Sequence, residues 1–240
     1  MVMNTKQLQF NQAMEKFNGS RLYPGFGTFI ASASVSLQLL LLYGLFTQPV
    51  LVGTHILAFV VAYVLADLLN GLVHMVWDHH ENYNSIYGPL VAQFHLHHQI
   101  PKYTQKALPL VYFHETGAKV WLTAYLLLVW GLMSLANLPP LLLAILVYVG
   151  ILSSVAEVSH YLCHNSNSKL VQVLGRMGIL LSRKHHMRHH TRDNYNYAFL
   201  NGMSDPLINL IARRLYPGYK QTTDLHFAHY TAPDQQPHRF

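Results

Sequence analysis

Cysteine occurs once in 240 residues, at Cys163, so the chain closes no internal disulfide and builds no zinc-finger type of thiolate site. Charge is equally scarce. Only 11% of the residues are Asp, Glu, Lys or Arg, against 51% apolar, which is far from the composition of soluble domains and makes the bilayer the expected solvent. Dinucleotide-binding glycine fingerprints and haem-attachment motifs are missing, so any electrons the protein uses must come from a separate carrier. The opening stretch MVMNTKQLQFNQAMEKFNGSR has no apolar core before a small-residue cleavage site, and no secretory signal is expected. Repeats and low-complexity tracts are absent too. Acidic residues number ten against sixteen Lys and Arg, a net charge of +6. The cations flank apolar runs and do not interleave with aromatics, which argues against a nucleic-acid partner and for anionic membrane lipids.

Long apolar runs are what the chain does have. Thr28 to Phe46 is free of charge and long enough to cross hydrocarbon when tilted. Val50 to Val73, Val120 to Leu138 and Leu141 to Val158 supply three more spans. The expected fold is all-α: an integral membrane four-helix bundle over residues 28–215, preceded by a segment at 1–27 and followed by a loosely ordered tail at 216–240. The hairpin turns TQPV and ANLPP carry no charge. Lys6, Lys16 and Arg21 precede the first span, Lys102, Lys106 and Lys119 lie between the second and third, and ten further cations follow the fourth. By the positive-inside rule these three segments, the N-terminal one included, are expected on the cytoplasmic face. Residues 75–119 read as a polar connection, and Leu207 to Leu215 as a short amphipathic helix on the membrane surface.

Seventeen histidines stand out against this background, and only His55 falls near the opposite face, where an interfacial role suits it. The chemistry-bearing ones form four groups. In DLLNGLVHMVWD, Asp67, Gly71, His74 and Asp78 share one helical stripe. His74 is a metal-ligand candidate there, and Asp78 is a ligand or the acceptor that fixes its tautomer. Asp67, inside a span, is a functional carboxylate or an interfacial cap; His79 and His80 turn away from His74. In FHLHHQIP, His97 and His98 cannot share a stripe but can serve different ions, with His95 as a substitute. HYLCH sets His160 and His164 one turn apart, with Glu157 a turn earlier; Tyr161 stands where a zinc protease would carry its general base. RKHHMRHH places His186, His189 and His190 at the spacings of one helix face, with His185 one step round.

Protonated imidazoles this close repel one another, so a shared metal is the natural occupant. One, two, two and three histidines from the four groups make eight, more than one four-coordinate ion uses, and two metals follow. Imidazole with some carboxylate suits iron, zinc, copper or nickel. A bilayer setting favours iron with O2, because oxidising an unactivated lipid C–H bond needs a redox metal and zinc has no redox chemistry.

ADLLNGLVH with Asp78, FHLHHQIP, HYLCH and LLSRKHHMRHH, in this order and separation, resemble the Kua-type lipid desaturase family. Its members include plasmanylethanolamine desaturase and a plastid branch that makes a trans double bond in a phosphatidylglycerol acyl chain. The resemblance covers residues 60–215 and implies His74, His97, His98, His160, His164, His186, His189 and His190 as ligands of two non-haem irons. It also implies O2 as co-substrate, a phospholipid substrate, and a cytochrome b5-like or ferredoxin-like electron donor. His185 matches the ether-lipid branch. The chain departs from that branch after Pro101, where His114 beside Glu115 replaces the expected histidine only if the loop is longer. It departs again at Asn194, where ether-lipid members carry a histidine, and at Met75 in place of a tryptophan. DNYNYAFLNG is closer to the plastid pattern.

The expected activity is therefore removal of two hydrogens from adjacent carbons of a phospholipid chain. The same site returning oxygen to the chain would be a lipid hydroxylase. A metal transporter or sensor would use the histidines for transient binding, but transporters place their ligands near the midplane on broken helices, and these groups lie beyond the span ends. Arg183, Lys184 and Arg188 are placed to dock an acidic partner or a lipid phosphate.

Overall fold

The computed structural model describes residues 5–101, 103–192, 194–216 and 230. The tail expected at 216–240 lies outside them except for Tyr216 and Tyr230. Among the described residues there are helices and no strands. In chain order they are α1 (Thr5–Asn18), α2 (Leu22–Phe46), α3 (Val52–Asp78), α4 (Gly88–Gln99), α5 (Leu108–Thr116), α6 (Val120–Leu135), α7 (Pro140–Asn165), α8 (Lys169–Arg176), α9 (Arg183–His186) and α10 (Asp205–Leu215).

The protein is an all-helical membrane bundle. α2, α3 and α7 are each long and apolar enough to cross a bilayer, and α5 with α6 meet the same test as one span bent by 87°. Hydrocarbon offers backbone groups no partner, so such runs must satisfy them internally as helices. Prolines start several of them: Pro89, Pro109, Pro140 and Pro206 all sit in first turns, where the missing N–H costs nothing. Phe29, Leu39, Tyr43 and Leu128 point outward, as a lipid-facing surface requires.

Away from the histidines, Leu41 and Leu45 of α2, Leu122, Leu126 and Val129 of α6, and Leu143 and Val147 of α7 form one core. α3 and α7 pack along their length, with Ala62 and Ala66 of α3 and Ala156 of α7 buried beside Val149 and Leu152. Small residues let two spans approach closely. Gln38 locks α2 to two neighbours: its amide donates to the Gly150 carbonyl and the Ser154 hydroxyl, and its carbonyl accepts from Tyr112. Polar side chains inside a membrane are tolerated when satisfied in this way.

The region 75–119 is more structured than a polar connection. It contains α4 and the apolar α5, and the N-terminal segment adds α1, which packs Phe10, Ala13 and Met14 against Tyr83, Val91 and Ala92. A Lys6–Glu81 ion pair at 2.7 Å ties the same two regions. Lys119, expected as a loop cation, is buried instead, at the bend between α5 and α6. α8 follows α7 directly and leaves Leu170 and Val173 exposed.

Candidate metal centre

Four segments bring the histidines together: the last turns of α3 and α7, the C-terminal half of α4, and residues 183–191. The last of these is not one continuous helix. α9 ends at His186, Met187 and Arg188 turn, and His189–Thr191 form a single 3-10 turn. The break sends neighbouring histidines in different directions.

Two pockets result. His97, His160, His164, His186 and His190 form one; His74, Asp78, His98 and His189 form the other, with the donor atoms of each pocket within 4.8 Å of one another. The adjacent pairs His97–His98 and His189–His190 are each split between the pockets, which lie side by side, the His98 and His190 rings 5.0 Å apart.

In the five-histidine pocket the ring nitrogens converge. His160 Nε2 lies 2.9 Å from His186 Nε2 and 3.2 Å from His164 Nε2, His97 Nε2 is 3.1 Å from His164 Nε2, and His190 Nε2 is 3.1 Å from His186 Nε2. Two nitrogens at right angles, each about 2.1 Å from one ion, stand about 3.0 Å apart. The spacing fits a shared cation. Burial first, and then the neighbouring imidazoles, hold His97, His186 and His190 below the ordinary histidine range. These rings are neutral at pH 7, with lone pairs free to coordinate.

The second pocket gives the stronger test. His74 Nδ1 donates to the Tyr197 carbonyl at 2.8 Å and His189 Nδ1 to the Tyr195 carbonyl at 3.0 Å, leaving each Nε2 as a bare lone pair. Those lone pairs face Asp78. Its carboxylate lies 3.5 Å from His74 Nε2, 3.4 Å from His98 Nε2 and 3.3 Å from His189 Nε2, yet both of its oxygens are buried without a hydrogen-bond donor. A buried anion ringed by lone pairs is strongly unfavourable alone and favourable around a cation. The residues present fit a metal.

A cavity of about 650 Å³ reaches this centre, within the range of small-molecule sites. His74, His97, His98 and His160 form part of its wall, and Phe26, Val73, Trp77, Phe94, Leu96, Trp121 and Phe199 line much of the rest. An apolar chain lying in it would pass directly against the metal-facing histidines.

The profile of the lipid desaturase domain family matches residues 63–214. The chain belongs to that family. No curated protein and no solved structure matches it. The matched segment contains every residue of both pockets, and it begins within α3, so α1 and α2 stand outside it.

The remaining residues singled out in the sequence lie outside the pockets. His95 is fully buried and spent on Tyr83 Oη at 2.6 Å and the Trp77 carbonyl at 2.9 Å. His185 turns to Asp205 at 2.6 Å. His114 is on the cavity wall. Asn194, in a left-handed conformation with φ 56°, accepts from His79 Nε2 and Tyr197 Oη. Glu157 pairs with Lys119 at 3.0 Å and lies 3.9 Å from His160 Nδ1. Asp67 holds the 200–204 turn and meets no histidine. Arg183 donates through Nε and one terminal nitrogen to the Cys163, His164 and Ser166 carbonyls at the end of α7, where a helix leaves carbonyls unpaired, and the residue itself is exposed. Tyr103, Lys119 and Asp205 were not expected near the site. Lys119 alone carried a signal, a lysine four residues after an acid, Glu115, and directly before an apolar run.

Proposed function

We propose that this protein is an O2-dependent, di-iron lipid desaturase that introduces a double bond into an alkyl or acyl chain of a phospholipid. The observation that carries the reading is the shared wall: two pockets of nitrogen and carboxylate donors open onto one apolar cavity. The five histidines 97, 160, 164, 186 and 190 would hold one ion, and His74, His98, His189 and Asp78 the other.

Bound iron supplies the redox chemistry with dioxygen that zinc lacks. The chain gives up two hydrogens, and with two electrons and two protons from outside, one O2 becomes two waters. The protein's own part is geometric. Phe94, Trp77 and Val73 exclude water from the chain and hold it against the donor face, and the carbonyls of Tyr195 and Tyr197 keep two imidazoles oriented. Electrons come from an external carrier. The resemblance to Kua-type enzymes supports an ether-linked or trans-acyl product class, and the distribution of cations supports a metal centre on the cytoplasmic side.

The test is lipid mass analysis of membranes carrying the wild type or His186→Ala. Products lighter by two hydrogens, present only with the wild type, are expected. Products heavier by one oxygen would make the protein a hydroxylase, and identical lipids in both strains would reject the oxidative reading.

A further inference from the structure

Lys119 is an ammonium where a membrane bundle rarely keeps one. It is 5% exposed and fully engaged. Its Nζ donates to Asn70 Oδ1 of α3 and to the Ser153 carbonyl of α7, pairs with Glu157 Oε1 at 3.0 Å, and sits 4.7 Å above the Phe199 ring. Ionisable groups this deep are costly and persist where they serve a site. With no donor to spare, Lys119 is poorly placed to bind a substrate, although it lines the cavity.

Its partner shows what it serves. Glu157 turns its other oxygen, Oε2, toward His160 Nδ1 at 3.9 Å. His160 has its Nε2 inside the five-histidine pocket, so Nδ1 must carry the ring hydrogen, and Tyr103 Oη, 3.1 Å away, accepts it. Tyr103 orients the ring through that hydrogen bond, and the carboxylate, 3.9 Å from Nδ1, favours the same tautomer through its charge. Without a fixed cation, that carboxylate would be an uncompensated charge in the bundle, free to turn away.

We propose that Lys119 is a positioning residue for the five-histidine pocket: by pinning Glu157 beside His160 it keeps a negative charge next to Nδ1, which favours the tautomer that metal binding needs. This rests on the metal-centre reading above. It joins the bend between α5 and α6, which forms the cavity wall, to a ligand on α7.

The experiment uses full-length protein in lipid nanodiscs, loaded with ferrous ion without oxygen, and follows metal per chain and its extraction by a chelator. Wild type, Lys119→Met, Glu157→Gln and the double variant are compared, with thermal unfolding recorded for each. Lys119→Met should lose one ion of the pair at least tenfold faster than wild type, in the 10- to 100-fold range typical of groups that orient metal ligands. The double variant removes both charges together, so it should unfold like wild type and still release that ion quickly. A purely structural lysine gives the opposite result, with wild-type extraction restored in the double variant, and that overturns the proposal even if Lys119→Met does not fold. Unchanged extraction in Lys119→Met overturns it as well. A wild type that loads no metal removes the metal-centre reading itself, and this one with it.

Discussion

Asp67 accepts two hydrogen bonds from Ser204, one from its backbone N–H at 3.0 Å and one from its hydroxyl at 2.6 Å, across 137 positions of sequence. The other carboxylate oxygen accepts from the backbone of Leu200, Asn201 and Gly202 at 2.9 to 3.2 Å. A carboxylate inside a span is thus fully satisfied by one turn of chain. That turn follows the strip carrying Tyr195 and Tyr197, whose carbonyls orient His189 and His74.

Asp67→Asn should therefore destabilise the fold and loosen the metal centre together. The variant amide offers an N–H to groups that are themselves donors, and stranding even one or two buried donors costs about 3 kcal/mol. At ~2–4 °C per kcal/mol for a chain of this length, the melting temperature should fall by roughly 6–12 °C. A drop under two degrees in a thermal scan would contradict the clamp.

Asp78→Asn should move stability in opposite directions with and without metal. In the metal-free protein the substitution removes a buried anion facing the lone pairs of His74 and His189, so the melting temperature should hold or rise. In the loaded protein it removes a charged ligand, so the temperature should fall and one ion per chain should be lost. Parallel scans before and after chelation, with metal analysis, check the sign change; a fall in both states would assign Asp78 a structural part only.

His95 gives the loaded protein an acid limit. Burial holds it down at about 4, against the raising influence of Asp78 and the Trp77 carbonyl, and the unfolded chain binds the proton near 6.5. The folded pKa is the lower one, so its contribution is complete above pH 6.5 and is lost as pH falls toward 4. Over that window it amounts to about 3 kcal/mol. His95→Gln should flatten the dependence of melting temperature on pH between 6.5 and 4.5. An unchanged slope would place the acid limit elsewhere.

Much of this was legible because hydrocarbon and metal each impose strict rules on sequence. Charge-free runs gave the spans, and the i, i+4 spacing in HYLCH brings His160 and His164 into one pocket because α7 continues straight through its polar end. The same logic misread 183–190. There the chain stops being helical after His186, so His186 and His190 meet while His189 faces Asp78. Composition hid α5 as well, since a nine-residue apolar helix is too short to register as a span and draws its meaning from the 87° bend into α6. Gly71 marks another limit. A Cβ there would lie 2.4 Å from Ile208 Cδ1, a contact between α3 and α10 that periodicity alone does not reveal.

The cavity permits a test that leaves the metal centre alone. Ala118 is exposed, lines the cavity, and precedes the α6 span. A tryptophan at this position adds bulk without displacing core packing, so Ala118→Trp should leave melting temperature and metal content at wild-type values. If the apolar cavity admits the lipid chain, product formation should fall several-fold, and a substrate with a slimmer or shorter chain should be affected less. The comparison is made by lipid mass analysis on equal amounts of loaded protein. Full activity on the bulkiest substrate would mean the chain reaches the donor face by another route, because a side chain of that volume takes up a large share of a 650 Å³ space that the reacting carbons must share with the walls holding them in place.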